Sequence, residues 1–156
     1  MLSTHSVHIA FQPEAKVSAL ALSMSGDVAV WAEGDGKLFI AQNTEGDLTP
    51  STSWQAPALI RKAILRDNQI FVLDDEHGLT CLDLEGNLLW QTEIGAGGFS
   101  LQQLPAHLAV IDGLGRLHMF AYDGTPFEIH GEYNDILRCT AIDEYLILAH
   151  ESGQVQ

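Results

Sequence analysis

Four short apolar runs, each closed by a glycine, recur along the chain at nearly constant spacing. They run from Val28 to Gly36, Ile70 to Gly78, Leu108 to Gly115 and Leu146 to Gly153, and their closing glycines lie 42, 37 and 38 residues apart. A chain that repeats one pattern at this interval folds as a series of similar units. Each unit needs a neighbour to cover an apolar face it cannot bury alone.

The anatomy of a unit follows from its residues. Each run leads into a second short stretch (Lys37–Ala41, Leu79–Asp83, Arg116–Phe120). A second glycine, Gly46, Gly86 or Gly124, then follows 10, 8 or 9 residues after the first. The first run is continuously apolar, which suits a strand covered on both faces. The glycines supply the positive φ of a tight hairpin. A third run precedes each pair (19–22, 63–65, 100–104, 139–142), and a fourth follows, clearest in Leu88–Ile94. The expectation is an all-β chain of four antiparallel strands per unit, with units at 17–57, 58–97, 98–135 and an incomplete 136–156. Locally, Val17, Leu20, Ala21 and Met24 behind Pro13-Glu14 also fit helical spacing. The repeat register favours a strand there.

The segment Gly78–Gly95, with Asp83, Gly86 and Trp90, resembles a quinoprotein-type (PQQ-like) β-propeller repeat, and Val17–Asp27 resembles the opening of a WD40 blade. The resemblance implies a β-propeller in which the Asp, the turn glycine and the Trp dock neighbouring blades. Counting from the turn glycine places Pro50 and Glu128 at the Trp90 position of the other units. About three and a half blades are expected, forming a partial or small propeller, whereas closed rings hold roughly four to eight. Val7–Phe11 is expected to lend a strand to the last blade. The chain is expected to belong to a longer propeller, or else to close by assembly or as an irregular small ring.

Charge narrows the function classes. Seven Lys and Arg against 21 Asp and Glu leave a formal charge of −14, which opposes nucleic-acid binding and docking on an anionic membrane. The first residues hold no basic segment followed by an apolar run, and no apolar stretch reaches the length of a membrane span. A cytoplasmic location is the expectation, with Cys81 and Cys139 as buried, reduced thiols.

The candidate chemistry is sparse. The seven histidines are scattered; His5 and His8 would point to opposite faces of a strand. The acidic turns at Asp74–His77 and Glu33–Gly36 fall short of a calcium loop. No serine sits in a nucleophile elbow. The cations Arg61, Lys62 and Arg66 fit a half-exposed strand, and the acidic residues divide evenly between the two rims. The expectation is a non-enzymatic scaffold without metal or cofactor, presenting loops to a protein partner. Trp31, Trp54 and Tyr133 are the candidate contacts, and Gly36, Gly46, Gly78, Gly86, Gly115, Gly124 and Gly153 the structural turns. The alternatives are part of a propeller enzyme, quinoprotein-like or hydrolytic, with its active site outside this chain, and a periplasmic assembly factor of the outer-membrane lipoprotein type. The missing lipobox cysteine opposes the latter.

Overall fold

The computed structural model describes Pro13 and residues 15–44, 47–131 and 133–156. The expected strand at Val7–Phe11, the turn glycine Gly46 and the histidines His5 and His8 lie outside the described residues. The first blade comprises β1 (Val17–Leu22), β2 (Val28–Glu33), β3 (Lys37–Thr44) and β4 (Asp47–Gln55). The second comprises β5 (Ile60–Arg66), β6 (Gln69–Asp74), β7 (Gly78–Asp83) and β8 (Leu88–Glu93). The third holds β9 (Gly98–Gln103), β10 (His107–Asp112), β11 (Leu117–Ala121) and the short β12 (Pro126–Phe127). A final sheet pairs β13 (Ile136–Ile142) with β14 (Tyr145–His150), and Val155 bridges back to Ala149. Within each sheet the strands pair antiparallel in sequence order. The segment with competing helical spacing is β1, so the repeat register prevails there over local propensity.

Burial explains why the second strand of each blade reads as unbroken apolar sequence. β2, β6 and β10 are buried along five of six positions, and β6 and β10 have a neighbouring sheet on each face. Alternate residues serve opposite neighbours. Ile70, Val72 and Leu82 close a core against Val30, Leu38 and Ile40 of the first blade. Phe71, Leu73, Leu79 and Cys81 close another against Leu101, Leu108, Val110 and Phe120 of the third. A smaller cluster joins Ile111 to Ile136 and Leu148 of the final sheet. Each such fully buried side chain contributes about 1.5–3 kcal/mol. The cores therefore lie between blades, and each blade is held by its neighbours.

Two backbone devices recur and set the upper rim, where the turns at 34–36, 75–77, 113–115 and 151–153 meet the links between blades. Each innermost strand has one residue bulged out of its ladder: Ser18, Arg61, Phe99 and Leu137. Three of these four turns are also tied to the preceding link by a backbone hydrogen bond: Asp75 N–H to Leu59 O (3.1 Å), Gly113 N–H to Gly97 O (3.2 Å) and Glu151 N–H to Asp135 O (2.9 Å). The blades approach so closely here that glycine is required at the start of β9. A Cβ on Gly98 would fall 2.2 Å from Leu73 Cγ.

Candidate functional site

The bulges define the site. A bulge re-aims a side chain out of the pleat and is often found beside functional surfaces. Arg61, Phe99 and Leu137 occupy this position at intervals of 38 residues. In the second blade the rim is polar: Arg61 Nη2 donates to Asp75 Oδ2 at 3.0 Å, and Glu76 stands exposed in the turn. In the third and final blades the same positions turn apolar. Phe99 is 49% exposed, Leu137 46%, and Leu114, the counterpart of Glu76, 66%. Apolar groups thus face water here at positions where the repeat also accepts charge.

Phe99, Leu114 and Leu137 surround a hollow of about 250 Å³, lined also by Gly113, Gly115 and Ile136 and by the carboxylate residues Asp135 and Glu151. Arg138 lies beside it, with its guanidinium 5.9 Å from the Phe99 ring centre and Nη1 donating to Leu137 O at 2.7 Å.

A buried carboxylate holds the Leu114 turn in place. Asp112 Oδ1 accepts from Leu114 N–H (2.9 Å) and Arg116 N–H (3.0 Å). Its Oδ2 accepts from Arg116 Nε (2.8 Å) and meets His118 Nε2 at 2.9 Å. Burial alone would raise this carboxyl. The hydrogen bonds from Arg116 and His118 outweigh burial and hold it below the usual carboxylate range. Asp74 does the same work in the second blade through the N–H groups of Glu76 (3.0 Å) and His77 (2.6 Å).

The three candidate aromatics are withdrawn from water to different degrees. Trp31 is 6% exposed, in mid-β2, stacked on Phe39 at 5.4 Å. It is part of the scaffold, because every position along β2 after the first is buried. Trp54 is half-buried against the core between the first two blades. Tyr133 is half-buried against Ile111, Ile136 and Leu148, and its carbonyl accepts from Leu117 N–H at 3.1 Å. Alternation alone did not reveal Phe99, Leu114 and Leu137, since a one-residue bulge breaks the alternating pattern that assigns faces. The signal in the sequence is the 38-residue comparison of Arg61 with Phe99 and Leu137.

The turn residues act locally or at seams between blades. Gly36, Gly78, Gly86, Gly115, Gly124 and Gly153 have φ between +74° and +136°. Asp83 closes its own turn, accepting from Glu85 N–H (2.9 Å), Asn87 N–H (2.8 Å) and Asn87 Nδ2 (2.8 Å). Docking falls to its companions. Trp90 reaches forward to the third blade, donating from Nε1 to Tyr122 O at 3.1 Å. Gly86 lies against Thr52 of the first blade, whose hydroxyl donates to Glu85 O at 3.3 Å. The strand registers place Thr52 and Phe127 at the position of Trp90, opposite Ile40, Met119 and Cys81 respectively, in place of Pro50 and Glu128. The β3–β4 hairpin has a longer ladder and β12 pairs at only two residues, so counting from the turn glycine misses the register.

A larger cleft, about 1030 Å³, opens on the opposite rim beside Asp27, Arg66, Asp67 and Asp143. Its charges are largely engaged within the scaffold. Arg66 donates to Leu104 O (3.2 Å) and Pro105 O (2.8 Å), covers the Tyr122 ring at 3.9 Å and pairs with Asp67. Asp27 accepts from the hydroxyls of Ser23 and Ser25. Burial pushes the Cys81 thiol up to about 12, and Asp83 adds to the shift; burial likewise raises Cys139, which lies 3.4 Å from Ser100 Oγ. Among the described residues no group of three or more His, Cys, Asp or Glu is placed to hold a metal ion.

Four-stranded antiparallel sheets packed face to face in succession, with their cores between them, make this chain a β-propeller arc. Comparison with solved structures shows the same fold. The computationally designed protein Ika4 superposes with a TM-score of 0.78 at 13% identity, covering 93% of this chain and 91% of Ika4. BamB from Moraxella catarrhalis gives 0.74 at 20% identity, over 93% of this chain and 47% of BamB. The N-terminal domain of Nup159 gives 0.68 at 16% identity, over 94% and 42%. The chain thus spans less than half of the two natural propellers and nearly all of the designed one. No family model and no curated protein sequence matches it.

Proposed function

We propose that this chain is a non-enzymatic interaction module that binds a protein partner at the upper rim, through Phe99, Leu114 and Leu137. The observation that carries this reading is the exchange within the repeat. A scaffold that accepts Arg61 and Glu76 at these positions in one blade exposes Phe99 and Leu114 in the next. Burying such a patch on a partner recovers the hydrophobic free energy that exposure forfeits. A neighbour of the same fold fits this reading: in S. cerevisiae, Dbp5 is found bound to Nup159. The Asp83, Gly86 and Trp90 set favours kinship with PQQ-like repeats over WD40 repeats. A cytoplasmic location suits the two reduced thiols.

The test is site-specific photocrosslinking in an extract of the source cells. A crosslinking residue at position 114 is expected to give a discrete protein adduct that Phe99→Arg removes. The same residue at position 88, an exposed leucine on the outer strand, is expected to give none. Equal adducts at 114 and 88, or an adduct indifferent to Phe99→Arg, would sink the proposal.

A further inference from the structure

We infer that the segment bound at this rim is a basic peptide with a single large apolar anchor, an inference that rests on the interaction-module reading above. The anchor follows from the size of the hollow. About 250 Å³ is below the roughly 300–1,000 Å³ of small-molecule sites; Phe99, Leu114, Ile136 and Leu137 supply the apolar part of its wall, and the carboxylates of Asp112, Asp135 and Glu151 the polar part. It accommodates one side chain of leucine or phenylalanine size, inserted between Phe99, Leu114 and Leu137.

The charge follows from which carboxylates are engaged and which are open. Asp112 is compensated by Arg116 and His118. Asp135 and Glu151 form no ion pair among the described residues, and both are exposed. The 2.9 Å backbone hydrogen bond between them places these two acids together in the wall of the hollow. Arg138, the nearby cation, is held over the Phe99 ring by its bond to Leu137 O. A lysine or arginine flanking the anchor therefore meets two open carboxylates. The charge of −14 on the whole chain draws cationic segments in and turns acidic ones away, a second copy of this chain included.

The experiment uses fluorescence anisotropy on the full chain with three labelled synthetic peptides. One has a single central phenylalanine flanked by lysines, one has glutamates for the lysines, and one has alanine for the phenylalanine. The lysine peptide is expected to bind, and to weaken as salt is raised. Its Kd should rise about 10-fold or more with Phe99→Ala or with Leu114→Ala, which remove apolar wall without adding charge. It should rise roughly 3-fold or more with Asp135→Asn combined with Glu151→Gln. Asn suits the positive φ (57°) of Asp135, so this double variant preserves the turn. Glutamate-peptide binding equal to that of the lysine peptide, or no effect of the double variant, overturns the basic partner. Equal binding of the alanine-centred peptide overturns the anchor. If no peptide binds while the position-114 adduct still forms and is lost with Phe99→Arg, this inference fails and the module reading stands. If the adduct is absent as well, both fail.

Discussion

The indole Nε1–H of Trp90 donates to the carbonyl of Tyr122 at 3.1 Å, while the ring of Trp90 lies against Gly124. One side chain of the second blade thereby covers the outer turn of the third. Thr52 and Gly86 form the equivalent seam one blade earlier.

The seam requires a glycine. A Cβ on Gly124 would come within 2.8 Å of the Trp90 ring, at a φ of +88°. Gly124→Ala is expected to destabilise by about 1–3 kcal/mol. Trp90→Phe, which loses the hydrogen bond but keeps the aromatic body, should cost about 1 kcal/mol. Urea unfolding of the two variants checks both values. A neutral Gly124→Ala would mean that the seam is slack.

A sterner constraint lies at Gly98, where a Cβ would sit 2.2 Å from Leu73 Cγ. Gly98→Ala should overpack the interface between the second and third blades by about 1–3 kcal/mol. Leu73→Ala alone should lose about 2–5 kcal/mol through the cavity it leaves. Together the two changes are expected to cost less than their sum, because the added methyl occupies part of that cavity. Additive losses in the double-mutant cycle would show that Gly98 is constrained by something other than Leu73.

Asp112 makes the rim sensitive to acid. Its carboxyl is held below the ordinary carboxylate range in the folded chain, so the stability it confers is present in full above the unfolded value, about 3.9, and is lost as pH falls through the folded value. At neutral pH Asp112→Asn is expected to lose about 1.5–3 kcal/mol, since the hydrogen bonds from Arg116 and His118 lose their charged acceptor. The gap between wild type and variant should close at low pH. A gap that stays constant down to pH 2 would assign the loss to packing and not to charge.

The thiols give a probe of the cores. With its pKa pushed up to about 12, Cys81 holds almost no thiolate at pH 8 and lies in the core between the second and third blades. Ellman's reagent should label Cys81 only through unfolding, so that the logarithm of the labelling rate rises linearly with added denaturant. Cys139, raised by burial to a lesser degree, should react more slowly than a free thiol. Rapid modification of Cys81 in the native protein would contradict the burial described.

Much of the scaffold is legible in the chain. The continuous apolar runs became β2, β6, β10 and β14; β6 and β10 are covered by a blade on each face, whereas β14 remains half exposed, and the closing glycines sit in the turns after them or, for Gly78, at the first residue of the next strand. The site was harder to read for three physical reasons. A bulge places Phe99 and Leu137 outside the alternation from which faces are inferred. Trp31 reads as a contact residue because it is an aromatic near an expected rim or edge, yet its place in mid-β2 buries it. Unequal ladder lengths in the outer hairpins hide the equivalence of Thr52, Trp90 and Phe127. Gly98 gives no local signal at all, since its constraint comes from Leu73 of another blade.

Because the bulged residue in each innermost strand has no ladder partner, its identity is independent of strand pairing. Arginine, phenylalanine and leucine already occupy that position in three successive sheets with the same register on either side. Variation at 61, 99 and 137 can therefore change the surface chemistry of the rim while leaving the pairing that folds the chain untouched. Every duplicated blade would then bring evolution one more residue that it can change freely.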